Sequence, residues 1–185
     1  DLVINLAAQA GVRYSLTNPE EYVYSNQLGF FNILNFCKKR KIKLIYASSS
    51  SVYGEYKKFP TKEWQSLNPK NIYSATKMGN EIFAEIFSNF YNLEIIGLRF
   101  FTVYGEWGRP DMFLLKYLQS ASQNKKFILY NKGNYYRDFT YIVDAIKLIE
   151  PIIFLKKNYF KKHEIFNVCS NRPIKMSKVC EKLQK

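Results

Sequence analysis

Three continuous apolar runs constrain the fold of this chain more than any other feature: Leu2 to Leu6 (LVINL), Ile42 to Ala47 (IKLIYA) and Ile95 to Phe101 (IIGLRFF). Apolarity that does not alternate is the pattern of parallel strands covered on both faces. Between the runs lie helical patterns. Within Glu20 to Lys39, the residues Val23, Leu28, Phe31, Leu34 and Cys37 recur at near-helical spacing. From Tyr73 to Tyr91, an apolar stripe is formed by Met78, Ile82, Phe83, Ile86, Phe87 and Phe90. Pro19 suits the first turn of the earlier helix, and Asn68-Pro69 punctuates before the later one. Strand, helix, strand, helix, strand predicts right-handed crossovers and an α/β fold with a doubly wound parallel sheet.

After Gly105 the pattern becomes irregular. It predicts a helix from Asp111 to Ser122, a short strand KFILYN over residues 126–131, a turn at Gly133 and a helix from Val143 to Leu155. The closing MSKVCEKLQK also reads as helix. Two parts are expected, residues 1–104 carrying the parallel sheet and residues 105–185 forming a smaller lobe. The chain opens inside a strand without an initiating Met and stops inside a helix, so it is expected to be a fragment.

The formal net charge is +13. Its lysines fall in short clusters at predicted helix ends and loops: Lys38 to Lys41, Lys125-Lys126, Lys156-Lys157 and Lys161-Lys162. That is the distribution of an ordinary solvated surface, so no nucleic-acid partner is expected, although such a field would attract an anionic small substrate. No apolar run reaches the roughly 18 residues needed to span a bilayer, and no secretory signal opens the chain. Cys37, Cys169 and Cys180 form no CxxC pair, and His163 is the one histidine, so neither a disulfide framework nor a metal site is expected. A cytoplasmic protein is the expectation.

Two motifs carry chemistry. Ser48-Ser49-Ser50-Ser51-Val52-Tyr53-Gly54 directly follows a predicted buried strand and so lies at its carboxyl end, where ligands of open α/β sheets bind. Tyr73-Ser74-Ala75-Thr76-Lys77 opens the second long helix, and residues four apart share a helix face, which brings Lys77 close to Tyr73. A tyrosine hydroxyl ordinarily titrates near pH 10, and a neighbouring ammonium favours the phenolate that a general base requires. Tyr53 and Lys57 satisfy the same spacing but read as a turn without a role in proton transfer.

Five ordered segments then identify a resemblance: LAAQAGVRYSLTNP, ASSSSVYG, YSATK, RFFTVYGEWGRPDM and RDFTYIVD, with FNVCSNRPIKMSKV as a weaker sixth. The chain resembles the extended short-chain dehydrogenase/reductases, specifically the NAD-dependent epimerase/dehydratase family, and is most similar to its UDP-glucuronate 4-epimerase group. The resemblance implies a Rossmann-like sheet over residues 1–104, lacking the N-terminal strands and Gly-rich pyrophosphate turn, and a partial substrate-binding lobe over 105–185. No GxxGxxG occurs in the chain, so these residues alone are expected to be inactive.

The resemblance also implies roles. Leu6, Ala7, Ala8, Gln9, Asn26 and Ser48 match cofactor-binding positions for NAD. Without the resemblance, Asn26 reads as a solvent-facing helix residue. Ser49 matches the residue that hydrogen-bonds the sugar hydroxyl, Tyr73 the catalytic base, and Lys77 the residue that binds the nicotinamide ribose and tunes Tyr73. Ser50, Thr102, Arg109 and Arg137 match substrate-binding positions, with Arg137 toward the nucleotide diphosphate. Tyr141 and Asp144 are expected to shape the strand-to-helix turn.

The implied reaction is inversion at C4 of a UDP-sugar, UDP-glucuronate in the first instance, through a transient 4-keto form with tightly bound NAD. Dehydratases of similar sequence carry Thr-Asp-Glu where this chain has Ser49-Ser50-Ser51, and serines cannot supply that acid/base pair at neutral pH. A 4-keto uronate is a β-keto acid that loses CO2 unless its carboxylate is held, a task that suits Thr102 and the planar fork of Arg109. The chain departs from the group's pattern at Asn5, commonly His, and at Glu106, commonly Pro. A UDP-glucose 4-epimerase-like enzyme, a dehydratase and an inactive binding fragment are the alternatives. Family members also dimerise through their two long helices, which implies a homodimer.

Overall fold

The computed structural model of the chain describes residues 1–55, 60–156, 159–160 and 162–184. Lys57, Lys157 and Lys161 lie outside the described residues.

The three apolar runs become strands β1 (Leu2–Asn5), β2 (Lys43–Ser49) and β3 (Ile95–Phe100). They pair parallel in sequence order, with Leu44 opposite Ile95 and Ser48 opposite Arg99. Between β1 and β2 the chain forms α1 (Tyr14–Thr17), α2 (Pro19–Tyr22), a π-helical turn over Val23–Leu28 and α3 (Gly29–Arg40). The single helix expected from Glu20 to Lys39 is thus broken by a wider turn, and Pro19 does sit at its start. Helix α4 (Ile72–Tyr91) joins β2 to β3. A reciprocal capping box between Asn71 and Ser74 starts it, and a left-handed Asn92 ends it.

Phe30, Leu34 and Cys37 of α3 pack against Leu44 and Tyr46 of β2, Ile95 of β3, and Ala84 and Phe87 of α4. Leu34 is fully buried, so truncating it to Ala would remove about 2–5 kcal/mol. The stripe expected along α4 is only partly core. Ile82, Ile86 and Phe90 stay exposed, while Ser74, Thr76, Lys77, Asn80 and Glu81 are buried. The helix turns a polar face inward because strand-borne polar groups await it there.

Beyond β3 come β4 (Thr102–Tyr104), α5 (Phe113–Ser122), β5 (Tyr136–Arg137), β6 (Phe139–Tyr141) and α6 (Ile142–Phe154). The strand expected over 126–131 does not form. Its end enters a 3-10 turn at Tyr130–Gly133, in which Asn131 and Lys132 adopt left-handed backbone that no strand tolerates. Gly133 turns as expected, with φ of 72°. The chain continues through β7 (Glu164–Val168), β8 (Ile174–Lys175) and α7 (Met176–Leu183). Strand β4 pairs parallel with β6, and β5 antiparallel with β8.

The chain divides into two compact units, one of residues 1–100 with 150–168, the other of 101–149 with 169–185. The difference from a single division after residue 104 lies in β7, which pairs parallel with β3 and completes the sheet order β1-β2-β3-β7. Among the described residues no helix is long and apolar enough to cross a membrane.

Candidate active site

The site is built where β2 ends. Ser49 is the last residue of that strand and caps a 3-10 turn over Ser50–Tyr53. Ser51 donates both its backbone N–H, at 3.2 Å, and its hydroxyl, at 2.9 Å, to Ser49 Oγ. A hydroxyl that accepts twice keeps one proton to donate, so the turn presents Ser49 as a hydrogen-bond donor.

Helix α4 brings the second part. Lys77 is 4% exposed, and its Nζ donates a 2.8 Å hydrogen bond to the Ala47 carbonyl in β2. The ammonium stands 6.0 Å over the centroid of the Tyr73 ring, one helical turn earlier. Burial brings the Lys77 pKa down to about 8, which leaves it mostly protonated at neutral pH. Tyr73 is half-buried and lies edge-on to Tyr22, with centroids 6.2 Å apart. Because Ala47 lies two residues before Ser49, a single hydrogen bond ties the Tyr73–Lys77 turn to the strand that carries the serine.

The third part comes from the segment after β1. Leu6, Ala7 and Ala8 are exposed beyond the strand's carboxyl end. Gln9 is fixed by Asn26, whose Oδ1 accepts from the Gln9 N–H at 2.8 Å while Nδ2 donates to the Gln9 carbonyl at 3.0 Å. The same Nδ2 reaches Thr76 Oγ1 at 3.1 Å. Asn26 is 2% exposed, which overturns its reading as a solvent-facing residue. It belongs to the π turn, a distortion that concentrates at functional sites. Tyr22 reinforces the segment by donating to the carbonyls of Ala10 and Gly11.

Ser48, which the resemblance assigns to the cofactor, turns its hydroxyl to the opposite face of the strand from Ser49. Its side chain is buried and donates to Glu81 Oε1 at 2.5 Å. Sequence reasoning missed the network behind it. Arg99 grips Glu81 with two bonds, Nε to Oε1 at 2.9 Å and Nη2 to Oε2 at 2.7 Å. Its Nη1 donates to the Tyr53 hydroxyl at 2.7 Å and to the Glu63 carbonyl at 2.9 Å. Tyr53 in turn donates to Asn167 Oδ1 at 2.8 Å. Burial raises the Tyr53 pKa against the pull of Arg99, so this second tyrosine is a structural hydroxyl and a poor base. The available signal was an arginine inside a continuous apolar strand.

In the second unit, Thr102 lies on β4 and its N–H donates to the Asp138 carbonyl at 3.1 Å. Arg109 is exposed and held by Asp111 through two bonds of 2.9 and 2.8 Å. Arg137 is exposed on β5, its guanidinium 5.6 Å over the Tyr135 ring. Tyr141 donates to both oxygens of Glu106 at 2.9 Å, and a backbone hydrogen bond, with this one second, lowers the Glu106 pKa. The buried shaping residue of the unit is Asp138, which accepts from the N–H groups of Ser170 and Arg172, each at 2.8 Å, while Asp144 is exposed in the first turn of α6.

A family model described as the NAD dependent epimerase/dehydratase family matches residues 1–169. The chain belongs to that family. Among family relatives, a protein of Methanocaldococcus jannaschii is 45% identical over 187 aligned positions, which cover all of this chain and 56% of that one. UDP-glucuronate 4-epimerase 1 of Arabidopsis thaliana is 46% identical over 151 residues, 78% of this chain and 35% of the relative. A solved UDP-glucuronic acid 4-epimerase from Bacillus cereus, in complex with UDP-glucuronic acid and NAD, superposes with a TM-score of 0.93 at 32% identity. It matches 100% of this chain, which covers 58% of that structure. The chain thus spans little more than half the length of these full-coverage matches. The epimerase/dehydratase fold of such structures is the parallel α/β architecture described above.

Proposed function

We propose that the protein, at the full length of its relatives, inverts C4 of UDP-glucuronate and uses tightly bound NAD to do so. The observation that carries this reading is the buried Lys77 ammonium beside Tyr73, tied to the strand that ends in the donor Ser49. Leu6, Ala7, Ala8 and the immobilised Gln9 backbone, with Lys77, fit the nicotinamide end of the cofactor. The residues for its pyrophosphate are not in this sequence, which holds no GxxGxxG. Bound NAD supplies reversible oxidation at a sugar carbon.

The chain's own residues then do the rest. The Lys77 ammonium stabilises the Tyr73 phenolate, which accepts the proton of the sugar hydroxyl and later returns it. Ser49 donates a hydrogen bond to the same sugar oxygen, with Ser50 beside it in the turn. Thr102 and Arg109 hold the uronate carboxylate, and Arg137 the diphosphate. The absence of carboxylates from Ser49 to Ser51 disfavours a dehydratase. A homodimer accompanies this reading, supported by the exposed Ile82, Ile86 and Phe90 on α4.

One observation favours a neutral hexose as substrate. Arg109 is already engaged by Asp111, and an additional carboxylate, Glu106, stands in the same loop. The deciding experiment incubates the extended protein with UDP-glucuronate or UDP-glucose and follows C4 inversion by proton NMR. A uronate epimerase interconverts UDP-glucuronate and UDP-galacturonate, and Arg109→Ala raises KM for the uronate at least tenfold. Turnover of UDP-glucose alone, indifferent to that substitution, overturns the uronate reading.

A further inference from the structure

We propose that Glu81, Arg99 and Tyr53 form a buried polar clamp that holds the Ser49 turn from both ends, making them positioning residues for the reaction. This rests on the reading that Ser49 meets the sugar.

The clamp is laid down by sheet register. Ser48, Arg99 and Asn167 are consecutive cross-strand partners on β2, β3 and β7, so their side chains form one row on one face of the sheet. Helix α4 sets Glu81 against that row, where it meets Ser48 at one oxygen and Arg99 at both. The residue immediately before Ser49 is thereby anchored. On the far side of the turn, Tyr53 reaches back into the row, accepting from Arg99 and donating to Asn167. The Val52 carbonyl adds a bond from Asn68 N–H at 2.9 Å. Asn167 is held in place by Glu63 Oε1 on its N–H and by the Thr61 carbonyl on its amide.

Only residues 49–52 lie between Ser48 and Tyr53, and the three serines among them close on themselves through the Ser51 to Ser49 bonds. The clamp's side chains are buried: Ser48, Glu81 and Arg99 are 2%, 4% and 3% exposed, and Tyr53 is 2% exposed. A buried pair with paired charges and full hydrogen bonding specifies one geometry, and partial disruption frees the segment it holds. Catalytic groups displaced by a fraction of an ångström lose rate without losing ground-state affinity.

The test uses the extended protein and two conservative variants. Tyr53→Phe keeps the ring and removes the hydroxyl between Arg99 and Asn167. Ser48→Ala removes only the bond to Glu81 and serves if Tyr53→Phe does not fold. Losing one such bond is worth about 1–1.5 kcal/mol. The expectation is therefore a kcat about five- to tenfold lower, a KM for the UDP-sugar within twofold of the parent, and unchanged NAD content. Amide hydrogen exchange across residues 50–54 should quicken by a similar factor. A lowered Tm with kcat and exchange at parental values would assign these residues to stability alone and overturn the clamp. If the parent protein turns over no UDP-sugar, the functional reading fails, yet the exchange measurement still decides: unaltered exchange in both variants sinks the clamp, and faster exchange sustains it.

Discussion

Ser48 and Ser49 are adjacent on one extended strand, yet their hydroxyls serve opposite ends of the site's architecture. The Ser48 hydroxyl is buried against Glu81 at 2.5 Å, while the half-buried Ser49 oxygen accepts twice from Ser51 and faces the turn. Alternation along a strand produces this division without any special backbone. One serine belongs to the scaffold and its neighbour is the one proposed to meet the sugar, although the sequence run makes all four look equivalent.

Tyr73 is the proposed base, so Tyr73→Phe should lower kcat by about 10²–10⁴, the usual share of a positioned acid/base group. The variant keeps the ring contact with Tyr22, and its folding and NAD content should match the parent. C4 inversion followed by NMR checks it, and a kcat within threefold of the parent would remove Tyr73 from the reaction.

Lys77 predicts a pH signature in stability. Its folded pKa of about 8 lies below the ordinary 10.5 because the ammonium is buried. Between those two values the unfolded chain binds a proton that the folded chain lacks, so stability rises as pH climbs through this window. Below pH 8 the cost of the buried charge is present in full. The shift corresponds to about 3 kcal/mol. Urea unfolding at pH 7.5 and pH 10 should show Lys77→Met ahead of the parent at the lower pH by more than at the higher. Parallel pH dependence in the two proteins would contradict the assignment.

Removing one member of the buried pair should be costly. Arg99→Met leaves the Glu81 carboxylate uncompensated in the interior, a loss of about 3–5 kcal/mol, whereas the double change Glu81→Leu with Arg99→Met restores much of it. Urea midpoints of the four proteins in this cycle give the coupling directly. Additive losses would mean that the two side chains do not depend on each other.

His163 predicts acid sensitivity. Its imidazole bridges the Tyr46 hydroxyl at 2.9 Å and Glu85 at 3.0 Å, and burial lowers its pKa in spite of the carboxylate. The folded state therefore resists a proton that the unfolded state accepts, so stability falls as pH drops below the ordinary histidine value of about 6.5. The His163→Gln variant should lose that component of the decline between pH 7 and pH 5 in thermal unfolding. An identical decline in both proteins would assign it to other groups.

What the sequence made legible were the strands that repeat a simple pattern and the motifs that stand at their ends. LVINL, IKLIYA and IIGLRFF each became a parallel strand, and Asn68-Pro69 did precede a capped helix. Two elements were hidden for physical reasons. KFILYN has strand-like residues but no partner strand among the described residues, and its last residues enter a left-handed turn. Glu164–Val168 was overlooked because its pairing with β3 spans more than sixty residues of chain, which no local periodicity reports. The polar network failed to show for a related reason: Glu81 looks like a surface charge until the fold buries it against Arg99.

The return of β7 to β3 also has a temporal consequence. On a ribosome, the open side of β3 stays uncovered until residue 168 has emerged, and Tyr53 and Arg99 wait equally long for Asn167. An apolar edge exposed during synthesis is where nascent chains associate wrongly. For this protein, the interval between making the Ser49 turn and closing its sheet leaves that edge open to misassembly.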